Sequence, residues 1–400
     1  MIAFTRMAGM IAEKGGMRLY LVGGVVRDLL LERLNTDLDL AVEGDAVELA
    51  DEIAPLVPGV KITIHSRFKT ATLKWDRHSV DLITARAETY ARPGALPKVT
   101  RGSIKEDMAR RDFTINAMAI SLNPDNYGEL YDPYEGRMDL ENEIICVLHD
   151  KSFTDDATRI WRAIRYEQRL GFHIEPVTLL LINRDVDMLK TVSGERIRHE
   201  LELVLKEEAP EKILQRADEL GVLENVNHLL KSDAWLEEKF TEAREASKMD
   251  LPTPYLYMAL LCYRLTPQDA QKVINYLHLP KAASEAILDT LGIKANIKEL
   301  SLDGQAPSVV YNILHGYCTV SYEANVIASG SATAAEHIEL YENVLKHVRS
   351  SLTGDDLKKL GIPKGPKIKE ALKSLLEARL DGIIESKADE EMWIKERLLS

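Results

Sequence analysis

The sequence of 400 residues is poor in cysteine: only Cys146, Cys262 and Cys318 are present, and they lie far apart. This spacing excludes a disulfide framework and a zinc site built on cysteines, and it is typical of a reducing compartment. No apolar run approaches the roughly 18 residues of a membrane span, and the first residues lack the apolar stretch of a secretory signal. We therefore expect a cytoplasmic protein without a membrane partner.

Positive charge is also scarce, since 51 lysines and arginines face 64 aspartates and glutamates, for a formal net charge of -13. Because such a field repels phosphate, a nucleic acid can bind only at a local basic face. The composition is otherwise ordinary, with 45% hydrophobic and 29% charged residues. It excludes a disordered chain, a collagen and a coiled-coil rod, and the length predicts two or more domains.

Two regions differ in their hydrophobic pattern. Residues 1–148 contain strand patterns at 18–22, 38–42 and 60–85, with helical patterns between and after them, which predicts an α/β region. Residues 86–102 carry prolines and glycines without a period, so we predict one long loop there. From about residue 150 to the end, helical periods dominate and strand patterns are missing. The sequence thus predicts an α/β head followed by an all-helical remainder.

A pair of glycines, Gly23 and Gly24, follows the first strand pattern and precedes a helical one. Without a Cβ, the backbone can approach a bulky anion, and the N–H groups of such a turn favour phosphate. Arg27 adds a guanidinium that can bind the same anion. Taken alone, the pair is equally compatible with a plain tight turn between a strand and a helix.

Two aspartates, Asp37 and Asp39, stand two residues apart in the second strand pattern. The strand period puts both carboxylates on one face and the intervening leucine on the other. Two like charges side by side are unfavourable unless a cation lies between them, and carboxylate oxygens suit Mg²⁺ or Mn²⁺. The alternative is a pair of solvated acids on an edge strand, which the preceding glycine pair disfavours. Asp81 is a candidate third carboxylate, although a single strand aspartate commonly faces solvent.

Five sequence blocks occur in order between residues 21 and 205. They are 23–28 with Asp37 and Asp39, 110–118, 132–140, 155–165 and 193–198. Through them the chain resembles the class II tRNA nucleotidyltransferases, the family of CCA-adding enzymes and bacterial poly(A) polymerases, over roughly half of its length. The resemblance implies a polymerase-β-like head with a mixed sheet and helices, followed by an all-α neck, body and tail. We predict the head at 1–148, the neck at 149–226, the body at 227–310 and the tail at 311–400.

The resemblance also implies a two-metal reaction. Asp37 and Asp39 are expected to hold Mg²⁺, with Mn²⁺ as the alternative, while an in-line displacement releases pyrophosphate. The residues expected to hold the triphosphate are Gly23, Gly24, Arg27 and Arg111.

Recognition of the ribose and the base is implied for the second and fourth blocks. Asp112 is expected to accept a hydrogen bond from a ribose hydroxyl; the alternative is a surface Arg–Asp pair worth under about 1 kcal/mol. Asp156 and Arg159 resemble the pair that reads the Watson–Crick edge of the incoming C or A. Arg162 and Arg165 are expected to help hold the nucleotide.

The fourth block has a pattern of its own. Arginines recur at helical spacing from Arg159 to Arg169 and predict one basic stripe, and Asp155 and Asp156 are expected in the first turn of the same helix. A solvated charged face is the alternative, which the lack of compensating acids in this pattern disfavours. The family usually has Glu-Asp at 155–156, so the supporting role of the first acid stays open. Residues 193–205 are expected to form a packing helix with salt bridges.

The resemblance implies an enzyme that adds C, C and A to the 3′ end of tRNA from CTP and ATP, with the helical body and tail binding the tRNA. CC-adding members have a shortened loop, whereas residues 85 to about 103 look intact here. An enzyme that adds only A keeps this loop and is the alternative. A poly(A) polymerase is less favoured because the C-terminal residues are mixed in charge. A non-catalytic RNA-binding relative is expected to lack Asp37 or Asp39. The sequence does not indicate the oligomeric state.

Overall fold

The structure is a computed structural model that describes residues 2–33, 37–65, 69–89, 97–247 and 251–398. The chain divides into two compact units, of which unit 1 is Met1–Glu207 with Lys212–Val226, and unit 2 is Glu208–Glu211 with Asn227–Ser400. Within the described ranges, every helix is too short or too polar to cross a lipid bilayer.

The strands all lie in unit 1 of the described chain. They are β1 (Arg18–Val22), β2 (Asp37–Glu43), β3 (Lys61–His65), β4 (Thr70–Trp75), β5 (His78–Thr84), β6 (Arg86–Thr89), β7 (Lys98–Arg101), β8 (Ala119–Ser121), β9 (Leu130–Tyr131), β10 (Ile144–Ile145) and β11 (His173–Ile174).

The helices follow the chain in this order: α1 (Ile2–Lys14), α2 (Gly24–Leu30), α3 (Ala46–Ile53), α4 (Ile104–Ala109), α5 (Gly136–Glu141), α6 (Ser152–Asp155), α7 (Thr158–Leu170), α8 (Pro176–Asp185), α9 (Gly194–Val204), α10 (Pro210–Glu219), α11 (Ala234–Ala246), α12 (Pro254–Cys262), α13 (Pro267–Leu277), α14 (Lys281–Ala295), α15 (Ile297–Leu300), α16 (Pro307–Leu314), α17 (Thr319–Ala328), α18 (Ala332–Asn343), α19 (Gly354–Lys359), α20 (Pro366–Leu380) and α21 (Lys387–Leu398).

A seven-stranded mixed sheet forms the centre of unit 1, with the strand order β3-β4-β5-β2-β1-β8-β9. β2 and β5 are parallel, and the other neighbouring strands are antiparallel. Leu40 of β2 and Leu82 of β5 are fully buried. Because side chains alternate along a strand, Asp39 and Asp81 point to the opposite face from these leucines. The predicted mixed-sheet head followed by a mostly helical remainder is confirmed.

The long loop predicted at 86–102 is wrong in part, because β6 and β7 form a two-stranded antiparallel ribbon there. The register runs from Arg86 opposite Arg101 to Thr89 opposite Lys98. Residues 90–96 lie outside the described residues. The paired residues are mostly polar, so the backbone pairing leaves no alternation of hydrophobicity that a sequence pattern can detect.

The expectation that no strand follows residue 150 is also wrong at one place. β11 pairs in parallel with β10, with His173 opposite Ile144 and Ile174 opposite Ile145. Two residues are too few to show any period. After β11, the described part of the chain is helical or irregular.

Unit 2 is helical and contains two hydrophobic clusters. One includes Ile293, Leu300 and Val310 from α14 to α16, and the other includes Leu357 and Leu375 from α19 and α20. Each apolar face is thereby removed from water, which supplies most of the stability of short helices.

Candidate active site

Unit 1 contains a cleft of ≈ 1010 Å³ that is lined mostly by residues with polar or charged side chains. It is lined by Gly23, Gly24, Asp39, His65, Thr70, Ile83, Arg86, Glu88, Pro97, Arg110, Arg111, Asp112, Asn116, Asp156, Thr158, Arg159, Arg162, Tyr166, Glu195, Arg196, His199 and Glu200. Six guanidinium groups and six carboxylates are among these side chains. Such walls suit a ligand that carries both negative charge and hydrogen-bonding edges.

The cleft brings together most of the residues singled out from the sequence. Those that line it are Gly23, Gly24, Asp39, Arg111, Asp112, Asp156, Arg159 and Arg162. Arg27 and Arg165 are buried and are not among the lining residues. Asp81 does not line the cleft either. The side chain of Asp37 lies outside the described residues, although its backbone forms the first residue of β2.

The turn after β1 depends on Gly23, whose φ of 78° lies in the left-handed region. A Cβ at this position would lie 2.7 Å from Nη1 of Arg111 and 3.9 Å from Oδ2 of Asp39. The turn therefore places an open backbone between a guanidinium and a carboxylate. A side chain at residue 23 would fill that space.

Asp39 and Asp81 are neighbours in register on the parallel strands β2 and β5. Paired residues of adjacent strands share a face of the sheet, so the two carboxylates lie on the same face. Oδ1 of Asp81 accepts a hydrogen bond from Oγ1 of Thr72 at 2.6 Å. Among the residues whose side chains are described, no group of three or more metal-ligating side chains occurs. A carboxylate that lines an open polar cleft nevertheless fits a hard divalent cation.

Arg110 and Arg111 are both held by one buried acid, Asp107 of α4. Oδ1 of Asp107 accepts from Nη2 of Arg110 at 2.7 Å, and Oδ2 accepts from Nη2 of Arg111 at 2.9 Å. Burial would raise the pKa of Asp107, but the two guanidinium groups outweigh it and the pKa is lowered. The sequence reasoning missed Asp107. Its signal is an acid three and four residues before the two arginines of a helical segment.

Asp112 is buried and accepts four hydrogen bonds. Oδ1 accepts from the Phe113 backbone N–H at 2.9 Å and from Nδ2 of Asn116 at 3.0 Å. Oδ2 accepts from Nε of Arg162 at 2.8 Å and also from Nη2 of Arg162. Burial alone would raise the pKa of Asp112, yet Arg162 and these hydrogen bonds lower it to about 2. Asp112 is therefore an ionised carboxylate inside the wall of the cleft.

The ring of Tyr166 is surrounded by three guanidinium groups. The Cζ atoms of Arg27 and Arg165 lie 5.1 Å from the ring centroid, and that of Arg162 lies 5.7 Å away. Such cation–π contacts hold cations in place without neutralising them. Nη1 of Arg27 also donates to Oδ1 of Asn116 at 2.8 Å. Arg27 and Arg165 thus lie behind the cleft wall and position the residues that form it.

Asp156 does not lie in the first turn of a helix, contrary to the expectation from the sequence. Asp155 ends α6, and Asp156 is extended, with φ −144° and ψ 98°, before α7 begins. Its Oδ1 accepts from the backbone N–H and from Oγ1 of Thr158, at 3.1 and 2.7 Å. This local hydrogen bonding competes with helix formation and breaks the segment in two.

Arg159 is buried in the first turn of α7 and faces both neighbouring elements. Nη1 donates to Oγ of Ser152 at 2.7 Å, and Nη2 donates to the carbonyl oxygen of Arg110 at 2.8 Å. An arginine carries five N–H donors. The two contacts fix the plane of the guanidinium at the cleft wall and leave further donors for a ligand.

Three arginines of α7, Arg162, Arg165 and Arg169, do have compensating acids, which come from other elements. Arg162 pairs with Asp112, and Nη1 of Arg165 lies 3.3 Å from Oε1 of Glu207. Arg169 lies 3.8 Å from the same oxygen. A pattern on one helix cannot show acids that the fold brings from elsewhere. The expectation of an uncompensated basic stripe is therefore wrong for these three arginines.

Helix α9 does more than the packing expected of it. Ile197, Leu201 and Val204 are buried, as a packing helix requires. The polar residues of α9 that line the cleft are Glu195, Arg196, His199 and Glu200. The sequence reasoning missed these four. Their signal is a polar face at helical spacing opposite the apolar one.

The chain matches two family profiles. The profile described as the poly A polymerase head domain matches residues 19–146. The profile described as the probable RNA and SrmB-binding site of polymerase A matches residues 171–233.

The relatives found by sequence include two A-adding tRNA nucleotidyltransferases. The chain is 35% identical to that of Geobacter sulfurreducens over 99% of its own length, but it spans only 47% of that relative. It is 33% identical to that of Halalkalibacterium halodurans, with 97% of this chain and 90% of the relative covered.

Solved structures similar to this chain include CCA-adding enzymes. A complex of a CCA-adding enzyme with ATP matches at a TM-score of 0.81 and 30% identity, covering 100% of this chain and 95% of the other. The Thermotoga maritima CCA-adding enzyme in complex with tRNA matches at a TM-score of 0.74 and 30% identity, covering 99% and 95%.

Proposed function

Because this chain belongs to the tRNA nucleotidyltransferase family, we propose that it is an enzyme that adds nucleotides to the 3′ end of tRNA without a nucleic-acid template. The substrates are CTP and ATP, and the second substrate is the tRNA itself. One observation carries the proposal. A single cleft holds Asp39 beside the glycine turn and Arg111, together with Asp112, Asp156 and Arg159.

The reaction is a phosphoryl transfer. The terminal 3′-hydroxyl of the tRNA attacks the α-phosphorus of the nucleotide, a new P–O bond forms, and the bond to the pyrophosphate leaving group breaks. The family generally uses a divalent metal ion; we assign Mg²⁺, or alternatively Mn²⁺, to Asp37 and Asp39, with Asp81 as a candidate third carboxylate. Such an ion supplies charge neutralisation at the phosphates.

The triphosphate is assigned to the glycine turn and to Arg111. The backbone at Gly23 and Gly24 is open to the cleft, and Asp107 holds Arg111 in place before the ligand arrives. A donor that is already oriented loses little entropy on binding. Arg27 and Arg165 act from behind the wall, through the packing around Tyr166.

The base is assigned to Asp156 and Arg159, and the ribose to Asp112. An acceptor on Asp156 and donors on Arg159 match the exocyclic and ring positions of cytosine or adenine. A wrong base leaves these partly buried groups without partners, and such mismatches are strongly rejected. Arg162 contributes to the ribose side of the cleft through Asp112.

Two specific activities within this family are supported for this chain: addition of C, C and A, and addition of A alone. Addition of C, C and A is supported by the structural likeness to CCA-adding enzymes, and addition of A alone is supported by the two A-adding relatives. Both activities end with A, so the donors and acceptors in the cleft do not separate them. A CC-adding enzyme and a poly(A) polymerase stay less favoured.

The tRNA is assigned to the helical part of the chain. We propose residues 149–226 as the neck, 227–310 as the body and 311–400 as the tail, with binding through backbone and shape rather than sequence. The match of residues 171–233 to an RNA-binding profile supports this assignment. The scarcity of cysteine favours a cytoplasmic location.

The experiment that tests the function uses three tRNA substrates, which end at the discriminator base, at C, or at CC. Each is incubated with CTP, with ATP, and with both, and product lengths are read at single-nucleotide resolution. A CCA-adding enzyme completes all three, an A-adding enzyme extends only the CC end, and a poly(A) polymerase gives long products with ATP alone. Failure to extend any of them contradicts the proposal, and an Asp39→Asn variant serves as the inactive control.

A further inference from the structure

Asp112 has no acceptor position left for a ribose hydroxyl. An ionised carboxylate offers about four lone-pair sites, and the four hydrogen bonds to Asp112 use two on each oxygen. The donors on Oδ1 are a backbone N–H and Asn116, which itself holds Arg27. The two donors on Oδ2 come from the single side chain of Arg162. Departure of Arg162 leaves the backbone contact and the hydrogen bond between Asn116 and Arg27 in place.

A second acid lies where the displaced guanidinium can go. Glu200 of α9 lines the same cleft, is buried, and within the described part of the chain its Oε2 has no hydrogen-bond partner. Nη2 of Arg165 stands 3.9 Å from that oxygen, which is too long for a hydrogen bond. Arg162 and Arg165 contact the ring of the same tyrosine, Tyr166. Arg165 thus lies next to the carboxylate of Glu200, and Arg162 contacts the same tyrosine ring as Arg165 and lines the same cleft as Glu200.

The pKa of Glu200 reflects the nearby charges of Arg162 and Arg165. Burial raises the pKa of Glu200, and the charges of Arg162 and Arg165 oppose that rise. A buried carboxylate with an unused oxygen beside two guanidiniums is unsatisfied until one of them turns toward it.

We propose that Arg162 alternates between Asp112 and Glu200, and that Glu200 is the positioning residue that receives Arg162 when a ribose 2′-hydroxyl donates to Asp112. This inference rests on the proposed function. The 2′-hydroxyl of a ribonucleotide replaces one of the two hydrogen bonds that Arg162 gives up, and the carboxylate of Glu200 gains Arg162 as a partner. A deoxynucleotide cannot replace them, so Arg162 stays on Asp112. Discrimination between ribose and deoxyribose then depends on Glu200, although Glu200 contacts neither sugar.

The test compares ribonucleotide with deoxyribonucleotide in the Glu200→Gln variant. The nucleotide is the one that the wild-type enzyme adds, CTP against dCTP or ATP against dATP. We expect kcat/KM for the ribonucleotide to fall about tenfold or more, with the deoxynucleotide changed by less than about twofold. A merely structural role lowers both values by the same factor, and that result overturns the proposal.

Glu207→Gln is the matched control. Glu207 pairs with Arg165 at 3.3 Å but is not among the residues that line the cleft. The Glu207→Gln variant is expected to leave the ratio of kcat/KM for the ribonucleotide to kcat/KM for the deoxynucleotide unchanged. If Glu207→Gln lowers this ratio as much as Glu200→Gln does, loosening Arg165 is enough to impair discrimination between the sugars. That result contradicts the role of Glu200. Glu200→Asp keeps the charge at a shorter reach, and we expect an intermediate ratio.

A measurement on the wild-type protein does not depend on whether a variant folds. Crystal structures with the ribonucleotide and with the deoxynucleotide are compared at Arg162. The contact of Nε with Oδ2 of Asp112 is expected to be broken in the first and kept in the second. Arg162 seated on Asp112 in both overturns the inference. A wild-type enzyme that adds no nucleotide to tRNA is a failure of the proposed function instead.

Discussion

Arg196 donates a hydrogen bond to each oxygen of Asp156, at 2.7 Å in both cases, although 40 residues separate the two. The carboxylate also accepts from the backbone N–H of Thr158. The orientation of the Asp156 carboxylate therefore depends on Arg196 of α9 as much as on the neighbouring Thr158. The acid assigned to base reading depends on a residue that no base needs to touch.

Substituting Arg196→Ala is expected to lower kcat/KM for the natural nucleotide roughly tenfold to hundredfold, because a hydrogen bond to a charged group contributes about 1.5–3 kcal/mol. The measurement is single-turnover addition to tRNA. Arg198→Ala on the same helix, where Arg198 pairs with Glu202 at 3.5 Å, is the control and is expected to stay near wild type. Equal activity of both variants contradicts the positioning of Asp156.

Replacing Arg159 by alanine is expected to relax the selectivity for CTP and ATP. The guanidinium donates from a fixed plane held by Ser152 and the Arg110 carbonyl, and its loss removes donors that a wrong base fails to satisfy. Incorporation of all four nucleotides is measured separately. Ser152→Ala removes one of the two supports and is expected to give a smaller change in the same direction. Preserved selectivity in Arg159→Ala contradicts the assigned role.

An Asp39→Asn variant is expected to lose nucleotide addition by a factor of roughly a thousand or more, since one charged ligand of the divalent ion is removed, while tRNA binding is retained. Asp76→Asn is the control. Asp76 is exposed and has a φ of 48°, a conformation that asparagine tolerates. Loss of tRNA affinity in Asp39→Asn indicates a folding defect rather than a role at the metal.

Gly23→Ala is expected to reduce both activity and stability. A methyl group there would lie 2.7 Å from Nη1 of Arg111, and the alanine would have to adopt a φ of 78°. Gly16→Ala separates the two effects, because Gly16 has a φ of 68° and nothing within 4 Å of a Cβ. Both variants are expected to lose about 1 kcal/mol in free energy of unfolding, but only Gly23→Ala is expected to lose activity. Full activity of Gly23→Ala contradicts the close approach.

The pKa of Asp112 predicts a pH dependence of stability. Its folded value is about 2, below the ordinary 3.8, so the unfolded state binds the proton first as the pH falls. The stabilisation, about 2 kcal/mol, is complete above pH 3.8 and is lost between there and pH 2. The measurement is urea unfolding of wild type and Asp112→Asn. The difference in unfolding free energy between the two proteins is expected to shrink over that interval.

Local patterns were sufficient for much of the head. The alternation in β2 and β5 predicts Asp39 and Asp81 as candidate carboxylates, and the register of the two strands, which the sequence pattern does not show, puts them side by side. The sequence pattern does not predict the ribbon of β6 and β7, because its pairing consists of backbone hydrogen bonds between mostly polar residues. The sequence pattern predicts a helical position for Asp156, because composition does not show that its carboxylate accepts hydrogen bonds from Thr158 instead.

The sequence by itself determined the alternation of the strands, the glycine turn, the carboxylates of β2 and the arginines of α7, because each is a short-range pattern of side-chain period and charge. Only the tertiary structure decided which acid meets which arginine. Asp107 holds Arg111, Asp112 holds Arg162, and Arg196 holds Asp156. The last two pairs join elements far apart in the chain, and an ion pair forms where folding removes both partners from water at the same place, which no local period encodes.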